Sequence, residues 1–315
     1  MNNNLIVLTG PTAVGKTDLS IKLAKKINGE IISADSIQVY KHFDIGSAKI
    51  MPEEMCGIRH YLIDVLDPHE DFNVALFKTM SKEAINKIIS HGAIPIITGG
   101  TGFYIQAILN DIEFKENVDD GYREYLNKLL EEHGAKYLHN MLNSIDPVSA
   151  LNIHMNNTKR VIRAIEYYHQ TNEKISMHNE TERQKTSPYN FAYFVLNCNR
   201  DLLYQRIEKR IDIMIDNGLI DEVKFLMQEL KLNRNLVSMQ GLGYKEIASY
   251  LDGEISLEEA IYILKRDTRH FAKRQLTWFK REKDVIWIDK DKISSEEEQL
   301  KYILHILEEK NIYEG

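Results

Sequence analysis

The chain has 315 residues, 43% hydrophobic and 28% charged, with a formal net charge of −7, the balance of a globular chain with a sizeable core in one large or two ordinary domains. That acidity excludes indiscriminate polyanion binding, so any nucleic-acid partner has to be met by a local basic patch. No apolar run is long enough for a membrane span or a signal peptide, and Cys56 and Cys198 lie far apart without metal-type spacing, which suits a reducing, cytoplasmic setting.

Leu5–Leu8 reads as a short buried strand, and Gly10-Pro11-Thr12-Ala13-Val14-Gly15-Lys16-Thr17 fits G-x-x-x-x-G-K-[ST]. An amphipathic run from Asp18 to Ile27 follows, with Leu19, Leu23, Ala24 and Ile27 on one face. Strand, glycine-rich turn and helix start together form a phosphate cradle, because helix-end amides and the macrodipole favour an anion. Gly10, Thr12, Ala13, Val14 and Gly15 supply the loop, Lys16 is placed to meet phosphate oxygens, and the Thr17 hydroxyl suits Mg²⁺. The loop itself does not distinguish a nucleoside triphosphate from another diphosphate.

Glu30–Ala34 is a second buried strand, ending at Asp35-Ser36. A carboxylate at the carboxyl end of a strand beside such a loop sits where doubly wound sheets bind their ligands, although a helix N-cap would use the same residue. Tyr61–Val65 is a further strand candidate, and Asn73–Ile89 reads as a helix. Ala93–Ile97 is a third strong strand, running into Thr98-Gly99-Gly100-Thr101-Gly102 and a helix over Phe103–Leu109. In many P-loop NTPases the equivalent strand ends in a Mg²⁺-holding Asp; here no acid follows Ile97, which weakens an ATPase reading.

Alternation of strand and helix stops near Asn110. From Asp119 to about Lys185 the pattern is helical: Tyr122–Glu132, Lys136–Leu142, a helix opened by Asp146-Pro147, and Thr158–His169. Met177–Pro188 is polar and weakly patterned, so it reads as a return linker. Phe191–Asn197 resumes strand character, followed by helices over Asp201–Ile215 and Leu219–Leu230. Gln240–Lys245 is a glycine-flanked turn, Ser256-x-x-Glu259 a capping box opening a helix to about Lys280, Val285–Asp289 a last strand and Glu296–Glu309 a terminal helix. The architecture predicted is α/β: a P-loop NTPase-like parallel sheet flanked by helices over 1–112 and 190–315, with an all-helical insertion domain over 113–189.

The helix from Glu258 has a charge bias. At a hundred degrees per residue, Ile261, Leu264, Thr268, Phe271 and Trp278 gather on one side, and Lys265, Arg266, Arg269, Lys273 and Lys280 on the other. Between Lys265 and Lys283 there are eight Lys/Arg against Asp267 and Glu282. A solvated face would interleave both signs, so this face is expected to bind a polyanion. Lys159, Arg160 and Arg163 form a smaller basic cluster within the insertion.

Taken together, GPTAVGKT (10–17), DSIQVY (35–40), DIGSAK (44–49), GGTGFYIQAIL (99–109), KRVIRAIE (159–166), RIEKR (206–210), GLGYKE (241–246) and AKRQLTWF (272–279) resemble the tRNA dimethylallyltransferases, in order and over nearly the whole chain. Ser47 stands where Thr is commoner, and Met155 and Asn157 where Pro and Asp are often seen. Without the zinc finger of eukaryotic relatives, the likeness is to the bacterial form. The resemblance implies transfer of a dimethylallyl group from dimethylallyl diphosphate to N6 of the adenosine 3′ of the tRNA anticodon, with Mg²⁺ as cofactor. It implies Asp35 as the base, Thr101 as the group orienting the acceptor, and Lys16, Arg210 and the loop amides as stabilisers of the departing diphosphate. It also implies tRNA contacts by Asp35, Ser36, Ile37, Gln38 and Thr101, by Lys159, Arg160, Val161, Ile162 and Arg163, by Gln240, Gly243, Tyr244 and Lys245, and by Arg266, Arg269 and Lys273. The partners expected are the anticodon stem-loop and dimethylallyl diphosphate, met by a monomeric chain away from membranes. The competing readings are a small-molecule P-loop kinase, a prenyltransferase acting on free AMP or ADP, and a non-enzymatic RNA-binding module.

Overall fold

The computed structural model describes residues 3–114, 120–293 and 295–315. The chain forms two compact units, Met1–Leu109 with Pro188–Gly315, and Asn110–Ser187. The Asp119 start read for the helical segment lies outside the described residues.

The larger unit is built on β1 (Asn4–Thr9), β2 (Gly29–Ala34), β3 (His60–Tyr61), β4 (Ile94–Gly99), β5 (Asn190–Asn197) and β6 (Val285–Asp289). They form one sheet in the order β3-β2-β4-β1-β5-β6, and every pairing is parallel. All of β1 is buried, as continuous apolar runs are when helices cover both faces of a parallel sheet. Those helices include α1 (Lys16–Ile27), α2 (Val74–Ser90) and α3 (Gly102–Leu109), then, after the second unit, α9 (Arg200–Asp216), α10 (Leu219–Gln228), α11 (Tyr244–Leu251), α12 (Leu257–Phe279) and α13 (Glu296–Glu309). The second unit holds α4 (Tyr122–His133), α5 (Ala135–Ile145), α6 (Pro147–Asn152), α7 (Thr158–Thr171) and α8 (Ile175–Gln184), around a separate core of Leu126, Leu138, Leu142, Ala150, Val161, Ile162, Ala164 and Ile165. No helix among the described residues is long and apolar enough to cross a membrane.

Three sequence expectations are corrected. The strand read over Tyr61–Val65 stops at Tyr61, because Leu62 and Asp64 take left-handed φ of 62° and 54° and cannot continue a pleat. That turn lets the Asp64 carboxylate meet the buried Lys49 ammonium, which also bonds Asp44 Oδ1 at 2.7 Å and Tyr40 O at 2.7 Å. The supposed linker over Met177–Pro188 is largely α8. Its start is held to that of α6 by the buried Asp146, which accepts from Ser149 N and Oγ and from Ser176 N and Oγ at 2.7–3.0 Å. Polar bonds rather than an apolar stripe support it, so periodicity does not reveal it. Finally, the turn at Gln240–Lys245 runs straight into α11, whose Glu246 carboxylate reaches back to Gly243 N at 2.8 Å.

Candidate active site

Parallel register brings three loops to one edge of the sheet. Thr9 of β1 and Ala34 of β2 are both paired with Gly99 of β4, so the P-loop, Asp35 and the Gly100–Thr101 turn leave adjacent strands at the same level. Adjacent strands are about 4.8 Å apart, which puts the start of the P-loop and Asp35 about 10 Å from each other across β4. Side chains tie these ends: Thr9 Oγ1 donates to Gly99 O at 2.6 Å and Thr98 Oγ1 to Leu8 O at 3.0 Å, while Thr101 N donates to Ala34 O at 3.3 Å.

The loop has the curled backbone of an anion nest: Ala13 takes φ 64° and Gly15, at the N-cap of α1, φ 90°. Lys16 folds over it and donates to Gly10 O at 3.0 Å and Pro11 O at 2.8 Å. Its ammonium is lowered to about 7, first by burial and then by the Arg210 guanidinium, with Asp35 opposing. Arg210, on α9, is likewise held below its ordinary range by burial, against the pull of Asp18 and Asp35. Lys16 retains some accessible surface and Arg210 is exposed, yet both are surrounded by protein, the condition of groups lining a cleft open to water. Two cations and one carboxylate from three elements thus share one electrostatic neighbourhood.

Asp35 serves the cap that its position allowed and keeps a second oxygen clear of it. Its Oδ1 accepts from Ile37 N at 2.8 Å and Gln38 N at 3.3 Å, capping the turn, while Oδ2 accepts no hydrogen bond from the described residues. The Thr101 hydroxyl has no hydrogen bond among the described residues; its carbonyl serves the start of α3, accepting from Tyr104 N and Ile105 N. Tyr104 lies close enough to Asp35 for the carboxylate, after burial and Tyr40, to help push its phenol well above the usual range. The phenol therefore stays protonated beside the carboxylate.

One residue the motif reading passed over holds two of these loops together. Gln275, buried on α12, accepts from Thr12 N at 2.9 Å and donates to Gly100 O at 2.9 Å. A Cβ at residue 100 would lie 2.1 Å from Gln275 Nε2, so only glycine lets the amide this close. Gln275→Leu is expected to strand a backbone donor and a backbone acceptor, at about 1–3 kcal/mol each. The expected result is a melting midpoint several degrees lower, with weaker diphosphate affinity; an unshifted urea midpoint would refute this bridge.

A family model described as IPP transferase matches residues 38–282, which is most of the chain. The chain belongs to the IPP transferase family. It is 61% identical over 309 residues to the tRNA dimethylallyltransferase of Lachnoclostridium phytofermentans, covering 98% of each chain, and 50% identical over 306 residues to that of Acetivibrio thermocellus, covering 97% of each. Among solved structures, the tRNA isopentenylpyrophosphate transferase of Bacillus halodurans matches at 43% identity and a TM-score of 0.73, covering 98% of both chains. A eukaryotic dimethylallyltransferase described as acting on tRNA matches at 31% identity and a TM-score of 0.76, covering 91% of this chain and 74% of that one.

Within this IPP transferase the residues the resemblance assigned to tRNA divide sharply by placement. Val161 and Ile162 belong to the core of the helical unit, 0% and 6% exposed, so their side chains pack rather than face a partner; Lys159 and Arg160 beside them are exposed. Arg163 bonds the buried Glu166 at 3.2 Å, which Arg123 also clamps at 2.6 and 3.0 Å. Tyr244 is fully buried, its hydroxyl donating to Glu222 Oε1 at 2.8 Å and accepting from Ser47 N at 3.0 Å. Glu222 also accepts from Asp44 N, Ile45 N and Gly46 N at 2.7–3.1 Å, so the DIGSAK and GLGYKE motifs meet as scaffold. Gly243 is buried at the same junction, whereas Gln240 is exposed and Lys245 half-exposed. Gln38 is committed at both ends of its amide: it accepts from Ser33 Oγ at 3.1 Å and donates to Ser47 O and Ala48 O at 3.2 Å. Ser36 and Ile37 remain partly accessible.

The basic face of α12 is also more divided than its sequence suggested. Arg269 pairs with Glu208 and Lys265 with Asp212, both on α9, and Arg266 pairs with its neighbour Asp267. The first two pairs join α12 to α9. Lys273 and Lys280 are exposed and have no ion pair among the described residues.

Proposed function

We propose that the chain transfers a dimethylallyl group from dimethylallyl diphosphate to N6 of the adenosine 3′ of the tRNA anticodon, position 37, releasing diphosphate. The observation that carries this reading is the Lys16–Arg210 pair at a P-loop beside a carboxylate with one oxygen open. Cations suit the oxygen from which the allylic carbon departs, and the carboxylate suits the proton that the amine must lose. In the transfer the allylic C–O bond breaks, the N6–C bond forms, and the N6 proton passes to Asp35 Oδ2. Lys16, Arg210 and the loop amides hold the leaving diphosphate, and the Thr101 hydroxyl orients the acceptor.

Mg²⁺ fits the donor set as an ion held chiefly by the substrate. No cluster of three or more His, Cys, Asp or Glu converges among the described residues, while the exposed Thr17 offers an uncommitted hydroxyl at the head of α1. Mg²⁺ commonly takes one or two protein oxygens, with phosphates and waters completing its shell. When bound it would neutralise charge on the diphosphate. The acceptor base has to be extruded from the anticodon loop to reach Asp35. The chain acts in this reading as a cytoplasmic monomer, with Ser36, Ile37, Lys159, Arg160, Gln240, Lys245 and Lys273 as the accessible contacts to tRNA.

Incubation with labelled dimethylallyl diphosphate, Mg²⁺ and unmodified tRNA should place label on adenosine. Label left in the donor, or Lys16-dependent phosphate transfer from ATP, would favour the kinase reading instead. An anticodon stem-loop should be prenylated far faster than free AMP or ADP. Lys273→Glu should weaken tRNA binding and reduce the slope of log K against log salt by about one, leaving the donor KM in place. An unchanged slope would remove Lys273 from the interface.

A further inference from the structure

A third cation reaches the P-loop from the far side of the sheet. Lys290 is the first residue after β6, and its N–H donates to Asn197 O at 2.8 Å, extending the β5–β6 ladder by one step. From that anchored backbone the side chain runs back to the loop, where Nζ donates to Val14 O at 3.2 Å. A Cβ at residue 15 would lie 3.0 Å from this ammonium, so the side chain ends against the glycine whose φ of 90° curls the loop. The flanking carboxylates do not neutralise it. Asp289 Oδ1 accepts from Asp291 N at 3.1 Å, and Lys290 has no ion pair among the described residues.

Ordering a lysine side chain costs up to about 2 kcal/mol of rotamer freedom, and a single bond to a carbonyl offsets little of that. A lysine serving only the fold would gain more by pairing with Asp289 or Asp291. Instead the charge is brought beside the curled backbone of the loop, and among the described residues two of its N–H donors stay uncommitted. Val14 O and Gly15 N belong to one peptide unit, so a bond at the oxygen fixes that unit and polarises its N–H, a donor of the curled loop.

We propose that Lys290 is a positioning residue for the diphosphate: it braces the Val14–Gly15 peptide from the β6 side and adds a third positive charge to those of Lys16 and Arg210. This rests on the reading of the P-loop as the diphosphate site and adds an element that the motif does not contain. Because Lys290 acts on the loop and not on the acceptor, it governs donor affinity and leaves tRNA affinity alone.

Binding of inorganic diphosphate with Mg²⁺ to the full chain, measured by titration calorimetry, tests the assignment alongside donor KM, kcat and tRNA Kd. Lys290→Met, which keeps the length and removes the charge, is expected to weaken diphosphate and raise donor KM about tenfold, with kcat and tRNA Kd within about twofold of the parent. Lys290→Arg should recover most of the loss. Diphosphate affinity within about twofold of the parent in Lys290→Met, or an Arg variant as weak as the Met one, would overturn the proposal. Should Lys290→Met not fold, Lys290→Gln against Lys290→Arg makes the same comparison, and equal affinities would overturn it. Parent protein that binds diphosphate no better than Lys16→Met would instead refute the P-loop reading, and this inference with it.

Discussion

Asp35→Asn is expected to lower the single-turnover rate of prenyl transfer by about 10²–10⁴-fold, the range typical of losing a general base. Asparagine is the informative substitution because the cap and the proposed base role fall on different oxygens of Asp35. Oδ1 caps the turn through Ile37 N and Gln38 N, and an amide oxygen can keep those bonds. The open Oδ2 position becomes an NH₂ group, which cannot take the N6 proton. Asp35→Ala would remove cap and base together and confound slower chemistry with a displaced turn. The expected signature is therefore a collapsed rate with tRNA Kd and melting midpoint close to the parent's. A large affinity loss with normal single-turnover chemistry would show that Asp35 grips tRNA and that the base lies elsewhere.

Lys16→Met should lower kcat/KM for the donor by about 10²–10³-fold, the scale on which a single preorganised donor to a developing anion acts. A pH signature accompanies it. In the free protein Lys16 titrates at about 7, because burial and the Arg210 guanidinium disfavour its charge more than Asp35 restores it. A diphosphate placed against the ammonium has the opposite effect and raises its proton affinity. Binding above pH 7 should therefore take up close to one proton, and binding at pH 6 almost none from this group. Donor affinity, corrected for ionisation of the donor itself, should weaken as pH rises above 7, with a limiting slope of about tenfold per unit. Calorimetry in buffers of different ionisation enthalpy reads the uptake directly. Lys16→Met should show none from this site; an equal uptake in the variant would assign the proton to another group.

Buried polar residues account for most of the differences between the sequence reading and the structure. β1, the P-loop and α1 were legible because continuous burial, glycine spacing and amphipathic period are local properties of neighbouring residues. The same holds for α12, announced by Ser256, whose side chain accepts from Glu259 N at 3.1 Å. α8 was not legible, since the carboxylate that organises its start, Asp146, lies 30 residues upstream of Ser176. Nor were the fates of Tyr244, Gln38 and Arg269: each belongs to a motif stretch or basic run that looked available to a partner. Each is committed, to Glu222, to the turn at Ser47 and Ala48, and to Glu208 respectively. Helical spacing correctly separated cationic from apolar positions on α12, but it could not show that α9 opposes two of the cations with acids.

By itself the sequence determined the glycine-rich loop before the first helix, the carboxylate at the end of the second strand, and a helical segment interrupting an α/β pattern. All of these follow from short-range constraints: backbone freedom at glycine, the period of apolar residues, and unsatisfied amides at a helix start. Tertiary structure decided which loops share an edge, through the pairing of Thr9 and Ala34 with Gly99, and which distant side chains reach them. Gln275 and Lys290 stand 263 and 276 residues from the loop atoms they bond. Their hydrogen bonds depend on strand order and helix placement, and no spacing rule along the chain encodes such contacts.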